Sequence, residues 1–219
     1  MLIGITGGIG SGKSTIAQAL RSRGYAVYDT DTEAKRIIVE NPMVRSQVEM
    51  LFGSQVFEGD VYRTQLVAKQ VFHHPDLLAE LNHIVHPAVA FHLKQWAKEQ
   101  EKDKGLRTQD KRPICPGTPR QVGAEICFVE SAILFASGLD KLCDKVVVVT
   151  APEALRIERT IQRDYRGERT AENVAKVKQR IAAQAHEDCP TTKPLLRVDN
   201  DGQKTIEQLA DEVIRWAES

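Results

Sequence analysis

Gly7, Gly8, Ile9, Gly10, Ser11, Gly12, Lys13, Ser14 and Thr15 follow one another directly behind a short apolar stretch, Leu2–Thr6. A glycine, four residues, then Gly-Lys-Ser is the spacing with which a backbone wraps around phosphate. Glycines leave the N–H groups bare where side chains would block approach. A helix opening near Lys13 adds the positive end of its dipole. Lys13 can reach the outer phosphates of a nucleoside triphosphate, and the Ser14 hydroxyl can ligate Mg²⁺. A ligand-free glycine turn requires neither the lysine, nor the hydroxyl, nor the strand and helix on either side. The run specifies a triphosphate without separating kinase, GTPase and ATPase. An Asn-Lys-x-Asp sequence, which a guanine-reading switch would carry, is absent.

Other charged residues stand where an open α/β sheet would put its ligand crevice, at carboxyl ends of strands. Asp29 and Asp31 follow the apolar segment 25–28. A carboxylate there can take the proton of an attacking hydroxyl, hold water on Mg²⁺, or simply favour a helix N-terminus. Asp31, past the strand end, is the better base candidate. Glu130 closes the apolar run 126–129 and resembles the acid that organises a metal shell, although strand-end acids also occur for structural reasons. Arg156, Arg159 and Arg163 share one helix face, about 200° from the stripe Ala154, Ile157, Ile161. With Arg166 and Arg169 they make five arginines in fourteen residues, which suits either a solvated face or a lid closing over phosphates. His83 and His86 lie one turn apart with no third metal ligand evident; His73, His74, His83 and His92 read as surface or packing residues.

The elements that must position these groups alternate between strand and helix. Helical periodicity is expected over 13–23, 152–164, 171–187 and 205–217, and short buried strands over 126–129, 145–150 and 195–198. Thr30 and Glu33 have the spacing of a capping box. Residues 42–101 read as helical throughout, an inserted subdomain, and 99–121 as an exposed loop. The expected division is a nucleotide-binding core over 1–41 and 122–219, with a lid near 156–187, and a helical insertion over 42–121.

Lys plus Arg and Asp plus Glu both total 30, so no bulk field draws the chain to nucleic acid or anionic membrane. No apolar stretch approaches the ~20 residues that span a bilayer. Cys115, Cys127, Cys143 and Cys189 form no Cys-x-x-Cys pair. A cytoplasmic protein with reduced thiols, and no obligate protein partner, is the expectation.

Taken in order, these residues resemble the dephospho-coenzyme A kinase family. The resemblance begins with Thr6 to Thr15 and continues through Val27-Tyr28-Asp29-Thr30-Asp31. Arg63, Leu66, Phe72, Leu81-Asn82 and His86-Pro87 follow; then come Arg159 with Gln162-Arg163-Asp164, Ala182-Ala183-Gln184 and Asp199-Asn200-Asp201-Gly202. The glycine run alone is generic; the ordered set is specific and spans nearly the whole chain. It implies an α/β P-loop NTPase fold of three layers with a five-stranded parallel sheet, a helical substrate subdomain and a helical lid. It implies transfer of the ATP γ-phosphate to the ribose 3′-hydroxyl of dephospho-coenzyme A, the last step of coenzyme A synthesis. Asp31 falls on the family's proposed base, with Lys13 and lid residue Arg163 as its catalytic partners. Gly8, Gly10, Ser11, Gly12, Lys13, Ser14, Thr15, Arg159 and Asn200 fall on the nucleotide side. Asp29, Arg63 and His86 fall on the acceptor side, and Ser14 and Glu130 on Mg²⁺. Where the family carries a Pro-Leu-Leu-Phe-Glu-like segment, this chain has Ala132-Ile133-Leu134-Phe135-Ala136, without the proline or the glutamate.

Overall fold

A computed structural model of the chain describes residues 1–107, 126–184 and 191–219. Most of the expected exposed loop (108–121) and the last lid residues (185–187) therefore lie outside the described residues.

β1 (Leu2–Thr6) is buried along its whole length, as a run of apolar and small residues covered on both faces should be. α1 (Lys13–Ser22) buries Ile16, Ala17 and Leu20, one face at helical spacing. β2 (Ala26–Asp29) leads into α2 (Thr30–Glu40) and α3 (Pro42–Phe52). The capping residue of α2 is Asp29, whose carboxylate accepts from the Asp31 and Thr32 amides, rather than the expected Thr30–Glu33 box. Asp has the shorter reach back onto the first-turn amides once the helix begins at Thr30.

Residues 42–101 are not helical throughout. After a 3-10 turn at Ser54–Val56 comes a small antiparallel hairpin, β3 (Phe57–Glu58) and β4 (Val61–Tyr62), turning through Gly59-Asp60 with Gly59 at φ 59°. α4 (Thr64–His73) and α5 (Pro75–Arg107) follow. α5 runs on through 99–107, where a loop is expected: Glu, Lys and Gln there are strong helix formers that need no core to stay helical.

The remaining elements are β5 (Cys127–Glu130), a 3-10 turn at Leu139–Leu142, β6 (Lys145–Thr150), α6 (Glu153–Asp164), α7 (Ala171–Ala183), β7 (Leu195–Asp199) and α8 (Ile206–Ala217). The five-stranded parallel sheet runs β2-β5-β1-β6-β7, with Ile3 level with Phe128 on one side and Lys145 on the other. Strand order reverses around β1, so its carboxyl end opens into the crevice such sheets use for ligands.

One sheet face carries a continuous core of Ile3, Ile5, Phe128 and Val147 against Ile16 and Leu20 of α1 and Leu209 and Val213 of α8. Tyr25 meets Phe128 edge-on, with ring centroids 5.5 Å apart. On the opposite face Gly4 has no side chain because Leu134 fills its place; a Cβ there would come within 2.6 Å of Leu134 Cδ2. The variant 132–136 segment thus packs the sheet through Leu134, which is fully buried.

The chain divides into two compact units. One comprises Met1–Tyr28 and Glu99–Ser219, the other Asp29–Lys98, so the second begins earlier than the 42–121 insertion suggested by pattern. Within the second, Ile37, Ile38, Val44, Val48, Phe52, Val56, Val67, Val85, Val89 and Leu93 are buried.

Candidate active site

β1 ends at Thr6 and the chain turns through Gly7–Gly12 into α1, whose N-cap Gly12 sits at φ 94° with no side-chain cap. The first amides of the helix, those of Lys13 and Ser14, therefore have no intrahelical acceptor and are available to an anion. The loop is also too tight for side chains. A Cβ at Gly10 would lie 2.4 Å from Arg156 O, and one at Gly12 would lie 2.1 Å from Asn200 Nδ2. That fit accepts a phosphate wrapped by backbone and rejects a loop of ordinary residues.

The outer side of the loop is held by groups from the far end of the chain. Asn200, buried just past β7, donates from Nδ2 to Ser11 O at 2.8 Å, and its own amide bonds Thr150 O. Arg159 donates to Asn200 O through both terminal nitrogens at 3.1 Å and to Asn200 Oδ1 at 3.2 Å. Arg156 donates from Nε to Ile9 O at 2.9 Å, and Gln184 accepts from the Ile9 amide at 2.8 Å. Burial pushes the Arg156 guanidinium pKa down, with Glu153 opposing.

The arginine stripe is therefore neither wholly solvated nor wholly a lid. Arg156 and Arg159 hold the loop; Arg163 is bound by Asp164, and Arg169 by Glu158. The Asp164 hydrogen bond raises the Arg163 pKa. The buried stripe beneath them is Ile157, Thr160 and Ile161; Ala154 is exposed. Ile157 and Ile161 close with Val177 and Ile181 of α7 into a separate small core, which joins α6 to α7.

Gly10, Gly12, Lys13, Ser14, Thr15, Arg159, Arg163 and Asn200 line one cleft of about 460 Å³, floored by Thr160 and Ile206. Gly8 and Ser11 instead line a neighbouring cleft of about 260 Å³ with Arg156, Gln184 and Arg197. Glu130, buried at the end of β5, accepts from the Ser14 hydroxyl at 2.5 Å, so strand end and helix start meet at one carboxylate–hydroxyl pair.

Four expected residues belong to the second unit and sit on separate elements there. Asp29 spends its carboxylate capping α2, while Asp31, in the first turn, is exposed. α2 is tied to α5 by Arg36, which binds Glu33, Glu40 and, at 2.8 Å, His92 Nε2. Arg63 is ion-paired with Glu58 of the hairpin. His86 is half-buried on α5, and burial, with His83 adding repulsion, lowers its pKa below the usual histidine value. Gln184 is the loop contact that spacing did not mark: its partner is 175 residues away.

The family model for dephospho-CoA kinase matches residues 1–108 and 118–205. A Porphyromonas gingivalis dephospho-CoA kinase is 40% identical over 162 residues, 74% of this chain and 69% of that protein. One from Chlorobaculum tepidum is 32% identical over 97% of this chain and 91% of its own length. Among solved structures, a Thermus thermophilus protein superposes with TM-score 0.69 at 25% identity, over 100% of this chain and 98% of that one. The dephospho-CoA kinase of Campylobacter jejuni superposes with TM-score 0.58 at 22% identity, over 99% and 96% of the two chains.

Proposed function

The chain belongs to the dephospho-CoA kinase family, which phosphorylates dephospho-CoA to coenzyme A in the final step of its synthesis, and from that premise we propose how its residues divide the work. ATP is the donor. Its phosphates rest on the backbone amides of the glycine loop and the start of α1, where Lys13 and Arg163 neutralise charge on the transferring group. Arg159 and Asn200 keep the loop and the nucleotide together. Asp31 takes the proton of the ribose 3′-hydroxyl as that oxygen attacks in line. Asp29 fixes the turn that presents Asp31, and Arg63 and His86, in the second unit, bind the acceptor.

Ser14 and Glu130 are the groups that hold Mg²⁺. One hydroxyl and one carboxylate beside a phosphate cradle suit an ion that keeps several waters and takes its other ligands from phosphate. Mg²⁺ held by these two side chains would supply charge neutralisation for the phosphates. A reducing, cytoplasmic setting accords with Cys143 being a free, buried thiol whose pKa burial pushes up to about 12.

The observation that carries this reading is the convergence of Lys13, Ser14, Arg159, Arg163 and Asn200 on one cleft. Incubation with ATP, Mg²⁺ and dephospho-CoA is expected to yield coenzyme A and ADP. Asp31→Ala is expected to lose about 10²–10⁴-fold in kcat while ATP still binds. Turnover near that of the parent would remove Asp31 from the role of base.

A further inference from the structure

Ile9 is gripped from two helices at once. Its amide donates to Gln184 Oε1 just past α7, and its carbonyl accepts from Arg156 Nε near the start of α6, at 2.8 and 2.9 Å. An amide needs an acceptor and a carbonyl needs a donor, and these two side chains supply one of each. The helices that carry them are locked together by Ile157, Ile161, Val177 and Ile181. Immediately beyond, Gly10 lies against the Arg156 backbone, so the loop has no room to slide toward α6. The Ser11 amide is spent inside the loop on Gly8 O at 3.1 Å. The two grips thus act on the first half of the loop and leave the amides of Lys13 and Ser14, at the start of α1, directed to the ligand.

We propose that Gln184, with Arg156, is a positioning residue for the nucleotide: a latch from the lid that sets the phosphate loop through the Ile9 peptide. Its bond is to loop backbone, and it does not line the cleft that holds Lys13 and Ser14. Its loss therefore acts on ATP binding and spares the acceptor.

The test compares Gln184→Ala and Gln184→Glu, and repeats the first in an Ile9→Pro background, which lacks the amide that Gln184 accepts from. ADP affinity is read by calorimetry without acceptor, and KM for each substrate by steady-state kinetics. Gln184→Ala is expected to weaken ADP and raise the KM for ATP about tenfold, with the KM for dephospho-CoA unchanged. Gln184→Glu, which keeps the accepting oxygen, recovers most of the loss, and in the Ile9→Pro background Gln184→Ala costs nothing further. Unchanged ADP affinity, or a parallel rise in both KM values, overturns the latch. So does an undiminished cost of Gln184→Ala in the Ile9→Pro background. Hydrogen exchange at the Ile9 amide gives an independent reading, should Ile9→Pro not fold. Exchange is expected to accelerate in Gln184→Ala while β1 amides do not change; an unaltered Ile9 rate is equally fatal to the proposal. Failure of the parent to make coenzyme A would instead count against the function, because ADP affinity and exchange need no acceptor.

Discussion

Arg156 and Arg159 share a helix face with Arg163, yet the two ends of α6 are bonded in different ways. The first two arginines are anchored largely on main-chain oxygens, of Ile9, Ser11 and Asn200, while Arg163 is held by the carboxylate of Asp164. An arriving phosphate that displaced these main-chain oxygens would leave carbonyls of the packed loop without donors, at a cost of about 1–3 kcal/mol for each one buried. A carboxylate competes with phosphate for the same guanidinium, and competes as an equal. The start of α6 is thus scaffold for the loop, and its end is the part that can exchange an internal anion for a bound one. The same contrast appears in packing: the sheet core spans β1, β5, β6, α1 and α8, whereas α6 and α7 rest on a small core of their own.

Arg163→Ala offers the hardest test of that division. It is expected to lower kcat by about 10²–10³-fold, the usual consequence of losing one donor to transition-state charge, with stability changed by no more than a few tenths of a kcal/mol. A kcat within a few-fold of the parent would make the end of α6 scaffold as well. Asn200→Ala should behave oppositely. It strips Ser11 O of its donor and Arg159 of a side-chain acceptor in a buried setting, costing about 1–3 kcal/mol of stability and weakening ATP with it. If thermal unfolding of Asn200→Ala matches the parent, the loop is not held from β7.

What could be read from residues alone follows the same line between local and distant. The glycine run, Lys13 and Ser14 stand within a few residues of one another, so spacing alone could group them as a candidate cradle, and the alternation of strands and helices sufficed for the layered fold. Asn200 came only through resemblance, because its partner at Ser11 is 189 residues away and no periodicity records such a contact. Gln184 matched the family pattern without revealing its purpose for the same reason. The β3–β4 hairpin escaped because its two-residue strands are too short to establish a period of two, although Gly59-Asp60 between Phe57-Glu58 and Val61-Tyr62 is its turn signal. Over 99–107 charge suggested a loop, where propensity weighs Glu and Lys as helix.

A gentler change separates the two cores. Ile161 is fully buried in the α6–α7 core, and Ile161→Val removes one methylene there, at a cost of about 1 kcal/mol. Hydrogen exchange should quicken in α7 and leave α8 unchanged. Equal acceleration in both would mean that the α6–α7 pair and the sheet unfold as one unit, and the contrast in packing would have no thermodynamic content.

The smallest effect concerns the carboxylate itself. Asp164 accepts from Arg163 and Arg180, and the Arg163 hydrogen bond, more than any other cause, holds its pKa below the ordinary carboxylate value. A depressed folded pKa means that the unfolded chain binds more protons in the window between the two values, so stability rises with pH there. The contribution is complete above the unfolded pKa of about 3.9 and is lost as pH falls through the lower folded value. Because the Arg163 side chain is 60% exposed, solvent screens the pair, and a few tenths of a kcal/mol is the expected scale. Asp164→Asn should therefore destabilise the α6–α7 pair slightly at pH 6, and the gap from the parent should close as both are acidified through the lowered folded value. A gap that persists in acid would mean that Asp164 works through shape rather than charge. Arg163 would then have no titrating competitor for phosphate, and the distinction between the two ends of α6 would rest on burial alone.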